Sequence, residues 1–221
     1  MDLDFSPLTE NWAFLAGGLL ITVLLSFTVM LAGTVLGVGV ALLRLYGPWP
    51  LRALLAFYVD STRSIPVLVL LVWSFFAFPL VFGFSLPPFT AAFIALTLHV
   101  TAYIAEIARA GITSIRPGQT RAAMALGFSR WQVIRRVLLP QAAVRMLPPY
   151  GSMLSITVKS SAITSVIAVP ELMQRSSVLA SQSYRPLEVY TTALLLFFAL
   201  IFPITRVVDM VYTRIGHLGR S

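Results

Sequence analysis

The chain has 221 residues, is 58% hydrophobic and only 11% charged, and carries a net charge of +8 with a mean hydropathy of +0.88. Soluble domains average about 45–50% apolar and about 25% charged residues, so a globule of this composition lacks the polar surface to face water, and the apolar content equally excludes disorder. The absence of cysteine removes disulfides, thiolate catalysis and cysteine-based metal centres, and two distant histidines, His99 and His217, form no metal cluster. The composition implies an all-α integral membrane protein, in which excess arginine reports the cytoplasmic side rather than a nucleic-acid partner.

A bilayer core of about 30 Å needs roughly 20 apolar helical residues, and on that measure five spans are predicted. Trp12–Leu43 holds no charge. It follows Asp2, Asp4 and Glu10, a start too acidic for a signal peptide. The second uncharged run is Val67–Leu86, in a helix that starts earlier, giving a span over 53–86. A Pro87-Pro88 break reads as a tight turn into the third span, 89–108. Residues 109–149 are amphipathic and rich in arginine and cannot lie in lipid. The fourth span, 150–169, is weaker, rich in Ser and Thr, and carries Lys159. The fifth covers 187–208.

Counting Arg and Lys sets the orientation. With the N-terminus outside, the cytoplasmic stretches hold Arg44 and Arg52, then Arg109, Arg116, Arg121, Arg130, Arg135, Arg136 and Arg145, then Arg206, Arg214 and Arg220. Twelve of the 16 basic residues then lie inside, with only Arg175 and Arg185 outside. The N-terminus is therefore expected outside and the C-terminus inside.

The cytoplasmic stretch has the punctuation of two short helices. Thr120 reads as the N-cap of a helix over 121–126, which Gly127 ends through left-handed backbone angles. Ser129 caps a second helix over Arg130–Leu139, and Pro140 is expected to bend the chain back to the membrane. The first helix offers Ala122, Ala123, Met124 and Leu126, the second Trp131, Val133, Ile134 and Val137, among arginines. Such a pair suits docking into a groove on another protein. A polybasic segment drawn to anionic lipid accounts for the arginines, but not for the caps or the Gly127–Pro140 spacing.

Arg121-Ala122-Ala123, three residues, Gly127, nine residues, then Val137-Leu138-Leu139-Pro140 resembles the cytoplasmic signature of ABC-importer permeases. The string EIARAGITSIRPGQTRAAMALGFSRWQVIRRVLLPQA is similar to the polar amino-acid branch (histidine, glutamine and arginine permeases), as are TRSIPVLVLLVW and VKSSAITSVIAVPEL. The resemblance covers nearly the whole chain. It implies a single transmembrane domain of the type I importer class over 1–221, with Arg121, Ala122, Ala123, Leu126, Gly127, Phe128, Ser129 and Pro140 in the ATPase-coupling loop. Arg121 stands where the signature has Glu. Arg63-Ser64-Ile65-Pro66 replaces the usual Arg-Gly-Thr-Pro, and Ser160 follows Lys159 where an acid or amide is usual.

A basic residue at mid-depth costs about 2.5–3.5 kcal/mol on insertion scales. Lys159 therefore reads either as a substrate-carboxylate partner in a watery cavity with Ser160 and Ser161, or as a snorkelling or trans-paired residue. Arg63, Ser64 and Pro66 read as a second anion-binding element, or Arg63 simply pairs with Asp60. With no acid between Arg145 and Pro170, the fourth span favours neutral or acidic amino acids. Glu106 and Arg109 are placed to pair, His99 reads as a packed and hydrogen-bonded core residue, and Gly33 and Gly37 allow close helix contact.

The chain lacks the G-x-x-x-x-G-K-[ST] loop that cradles nucleotide phosphates. No nucleophile, metal cluster or paired carboxylates suggest an enzyme, and no cofactor is expected in the chain itself. The resemblance implies ATP and Mg on partner ATPase subunits, a second permease chain (identical or sibling), an extracytoplasmic substrate-binding protein, lipid around the spans and a polar amino acid as cargo, in a bacterial inner membrane. Other importer branches (methionine, osmoprotectant or phosphonate) share the loop and form the alternative. An ion-coupled secondary carrier would show internal repeats and relay charges, which five spans with one deep lysine do not.

Overall fold

The computed structural model describes residues 4–215, so Asp2, His217 and Arg220 lie outside the described residues. Helix α1 (Ser6–Glu10) leads into α2 (Trp12–Tyr46), whose 35 residues extend about 52 Å at 1.5 Å per residue. Among the described residues no strand occurs.

The run expected as one helix over 53–86 is two. Helices α3 (Trp49–Ser64) and α4 (Val67–Phe82) meet at an angle of 106°. Pro66 pushes the residue before it out of helical angles, and Ile65 accordingly has φ −93°, ψ 129°. The unbroken apolar run after Pro66 conceals this corner in the sequence. Gly83, with φ +77°, ends α4. The Pro87-Pro88 pair then starts α5 (Pro88–Thr113), with Pro88 in the first turn, where a missing N–H leaves no bond unmade.

Helix α6 (Pro117–Ala125) is followed by α7 (Arg130–Ile167), a continuous helix. Pro140 does not turn the chain back. Residues Ile134–Leu138 form a π-helical turn just before it, and the wider turn absorbs the missing N–H and the ring. A second π turn, Trp73–Ala77, precedes Pro79 in the same way. Pro148 and Pro149, expected at the boundary of the fourth span, lie inside α7. Ala168, at φ 59°, ends α7; α8 (Leu172–Ser183) and α9 (Pro186–Ile215) complete the fold. Helices α2, α5 and α9 are long and apolar enough to cross a bilayer, and five crossings result when the bent pairs α3–α4 and α7–α8 each count as one.

The core joins α2, α4, α5 and α7. Leu25 and Val29 meet Leu71, Ala92, Ala95, Leu96 and Met153, all buried. The α2–α5 seam is close because Gly33 lies against Val100 and Gly37 against Ile104; a Cβ at either glycine would fall within 2.7 Å of those side chains. Gly151 makes the corresponding approach to Val208 between α7 and α9. A second cluster, Leu8, Leu15, Leu172, Leu179 and Val189, ties the N-terminal ends of α2 and α9 to α8.

His99 is buried with its ring 4.8 Å from that of Tyr103, as a packed residue. The expected hydrogen bond is missing: its Nδ1 has no partner. Glu106 does pair with Arg109, Nε to Oε2 at 3.1 Å, and Arg44 of α2 also reaches the same carboxylate at 3.2 Å. That interhelical bridge fastens the C-terminal ends of α2 and α5.

Candidate functional site

Residues 114–145 project past the end of α5 and form the first candidate site. Thr120 is not a cap: α6 begins three residues earlier, with Pro117 in its first turn and Arg116 at the N-cap. The predicted stop is present in full. Gly127 has φ +83°, its N–H bonds the Met124 carbonyl at 3.0 Å, and Phe128 N–H bonds Ala123 at 3.1 Å. Those paired bonds are a Schellman motif. Ser129 Oγ accepts the Gln132 N–H at 3.3 Å while Gln132 Oε1 accepts the Ser129 N–H at 2.8 Å, a capping box. The α6–α7 corner is thus held by local bonds on both sides of Gly127.

The faces sort differently from the sequence reading. Ala123 and Val133 turn inward and are buried, whereas Leu126 is 80% exposed, Trp131 66% and Met124 46%. Ala122, Ser129, Pro140 and five arginines (116, 121, 130, 135 and 136) are also exposed, with Phe128 half-buried. The segment is braced from behind by Arg145, which donates to Ser114 Oγ at 3.1 Å, and by Gly111 packed on Met146. Large exposed apolar groups on a rigid, cationic corner make a docking surface.

The second candidate site lies in the spans. Lys159 is exposed on α7 and borders a lateral groove of about 470 Å³, otherwise lined by Ala162 and by Phe197, Phe198, Ile201, Phe202 and Thr205 of α9. Ser160 and Ser161 do not join it: both are buried, and Ser161 Oγ bonds the Val158 carbonyl of its own helix at 2.8 Å. Arg63 does not pair with Asp60. Its guanidinium lies 5.4 Å from the Tyr103 ring centroid, and Ser64 Oγ bonds the Asp60 carbonyl at 2.8 Å. Arg63, Ser64 and Pro66 are exposed at the α3–α4 corner, against α5, while Lys159 faces α9. The groove beside Lys159 includes none of Arg63, Ser64 and Pro66.

Sequence reasoning missed Glu171. It is fully buried and caps α8, accepting the Met173 N–H at 2.9 Å and the Gln174 N–H at 2.8 Å, while Thr22 of α2 bonds it at 3.4 Å. Thr22 Oγ1 also accepts the Leu172 N–H at 3.1 Å. Glutamate is not among the preferred N-cap residues, so only the sharp Pro170-Glu171 step hinted at the role. Arg175 lies across α2, its guanidinium 4.8 Å from the Phe14 ring centroid, where Gly17 and Gly18 leave room.

Known proteins share this arrangement. Residues 33–217 match the family described as the binding-protein-dependent transport system inner membrane component. The chain is 36% identical over 191 residues to the probable amino-acid ABC transporter permease protein YckA of Bacillus subtilis (strain 168), covering 86% of this chain and 84% of that one. It is 33% identical to the glutamine transport system permease protein GlnP of Escherichia coli (strain K12), over 86% and 88% of the two chains. The arginine transport system permease protein ArtQ of Bacillus subtilis is 33% identical over 93% and 94%. Among solved structures, an amino acid ABC transporter crystallised with histidines superposes with a TM-score of 0.90 at 31% identity, over 97% of this chain and 100% of that one. The inward-facing MetNI methionine ABC transporter gives 0.77 at 25% identity, over 93% and 98%.

Proposed function

The chain belongs to the binding-protein-dependent transport system inner membrane components, and from that membership we propose that it is the permease subunit of an ATP-driven importer that passes a polar amino acid into the cytoplasm. A soluble binding protein delivers the cargo at the outer face. Two ATPase subunits dock on residues 109–149 of this chain and of a second permease chain, identical or sibling. ATP and Mg belong to those subunits. Their closure moves the capped α6–α7 corner as a lever, and α7 carries that displacement from the docking surface into the membrane. The N-terminus is outside and the C-terminus inside, in keeping with the arginine-rich cytoplasmic segment.

The observation that carries the reading of the cargo site is Lys159. It is exposed in the single chain, within the apolar part of α7, beside a groove lined almost entirely by hydrocarbon and aromatic side chains. Facing lipid there costs about 2.5–3.5 kcal/mol. A second permease chain and the path between them remove that cost, and the ammonium is then placed to hold the carboxylate of an amino acid. Arg63, Ser64 and Pro66 of the α3–α4 corner contribute from the other side of the path, and the buried Ser160 and Ser161 back Lys159 from within α7.

The test is uptake by the reconstituted complex. Lys159→Met lowers amino-acid transport at least tenfold while the complex still assembles and hydrolyses ATP. Unchanged uptake in that variant removes Lys159 from the path, and ATPase activity that no amino acid stimulates through the binding protein rejects the assignment of cargo.

A further inference from the structure

At the tip of the cytoplasmic segment, a cleft of about 330 Å³ is bounded by Trp131, Gln132, Arg135 and Arg136. The polar atoms of these four side chains are mainly donors. The two guanidinium groups and the indole N–H only donate. Gln132 has its carboxamide oxygen already accepting the Ser129 N–H at 2.8 Å, and its NH₂ adds two further donors. No acid occurs between Glu106 and Glu171 in the sequence. Among the described residues, the ion pairs within 4.0 Å involve Arg44, Arg109 and Arg185, not Arg135 or Arg136. Two neighbouring guanidinium groups with chiefly donors around them and no acid nearby in the chain are best completed by a group that only accepts, and planar carboxylates fit such forks best.

Lipid headgroups lie too far away to supply that group. Residues 130–167 run as one helix, and Arg136 sits fourteen residues before Tyr150, where the sequence reading starts the fourth span. At 1.5 Å per residue this is about 20 Å, whereas the headgroup layer adds only about 5–7 Å to each side of the hydrocarbon. The bond from Arg145 to Ser114, just past the C-terminal end of α5, ties α7 to that end.

We propose that this cleft receives an aspartate or glutamate side chain of the ATPase subunit, and that the groove docking this chain is acidic. The inference rests on the preceding reading of residues 109–149 as the ATPase seat. Leu126 and Met124 supply the apolar part of the contact, and Arg121 extends the positive field where the related signature carries a glutamate. Trp131 forms one wall of the cleft.

The experiment is co-purification of the ATPase subunit with the full permease in detergent, read as bound ATPase per permease across a salt series. R135E/R136E is expected to lower retention at least tenfold. The neutral R135Q/R136Q double variant is expected to lower it about threefold and to flatten its salt dependence, with the permease itself monodisperse on gel filtration. Exchanging a groove carboxylate of the ATPase for lysine is expected to restore binding to R135E/R136E. Full retention by both double variants overturns the acidic-groove inference and leaves the importer reading standing. Retention that follows the anionic lipid content of phosphatidylglycerol-containing nanodiscs, rather than the ATPase charge exchange, also overturns it in favour of a lipid ligand. Failure of the unaltered permease to retain any ATPase rejects the importer reading itself.

Discussion

Three glycines within two turns of α2 have opposite surroundings, which makes a quantitative test of how the helices pack. A Cβ at Gly37 would lie 2.7 Å from Ile104 Cβ and 2.9 Å from the Thr101 carbonyl oxygen; at Gly33 it would lie 2.6 Å from Val100 Cγ1; at Gly39 it would meet nothing within 4 Å. Overpacking a close contact costs about 1–3 kcal/mol, while replacing a helical glycine by alanine in open space gains about 0.8–1 kcal/mol. Gly37→Ala and Gly33→Ala therefore destabilise the fold, and Gly39→Ala stabilises it slightly. For a chain of this size each kcal/mol moves the Tm by about 2–4 °C, readable by fluorescence-detected gel filtration of heated samples in mild detergent. Second-site changes sharpen the test. Val100→Ala removes the Cγ1 that meets a Cβ at Gly33, so G33A/V100A recovers most of the loss. Ile104→Ala keeps the Cβ that obstructs Gly37, and the Thr101 carbonyl stays, so G37A/I104A recovers little. Equal losses at Gly37 and Gly39, or full rescue of Gly37→Ala by Ile104→Ala, would refute the close α2–α5 seam.

Glu171→Ala leaves the buried N–H groups of Met173 and Gln174 without their acceptor, at a cost of about 1–3 kcal/mol; the expected result is a lower Tm and faster protease cleavage between α7 and α8. Ser129→Ala removes one half of the capping box and costs about 1 kcal/mol, expected to appear as increased proteolysis of residues 126–136 with the spans intact. Gly127→Ala forces an alanine to φ +83°, a strain of roughly 1–2 kcal/mol, and is expected to uncouple ATP hydrolysis from uptake more than it lowers the Tm. Glu106→Gln weakens the bridge to Arg44 and Arg109; it is expected to increase hydrogen exchange at the C-terminal ends of α2 and α5 while leaving the cluster around Leu15 and Leu172 unchanged.

The parts of the fold legible in the sequence are those set by long-range averages. The uncharged stretch of α2, the apolar faces of α5 and α9 and the bias of arginines each extend over many residues, and hydropathy reports them. Single-residue backbone events were harder. Pro66 breaks a helix at 106°, whereas Pro140, Pro148, Pro149 and Pro203 are all accommodated within helices. A π turn precedes Pro140, whereas Pro148, Pro149 and Pro203 lie within regular α-helix, so the residue type alone does not foretell the outcome. Thr120 had the chemistry of a cap, but Pro117 was the better start signal because it needs no N–H partner in the first turn. For the candidate sites, the Gly127–Ser129 corner was readable because its bonds are local. The exposure of Lys159 toward α9, the separation of Arg63 from it, and the burial of Ser160 and Ser161 depend on how distant helices meet.

In the proposed function, an ATPase subunit acts on this chain at the exposed corner between α6 and α7. Because the chain has no cysteine, Leu126→Cys introduces a single thiol at a position 80% exposed on that corner. Cross-linking this thiol in inside-out membrane vesicles containing the assembled complex is expected to yield a permease–ATPase adduct that forms and reverses with nucleotide state. Labelling of the same thiol by an impermeant maleimide from the outer face, or vesicles in which no ATPase adduct forms, would contradict it.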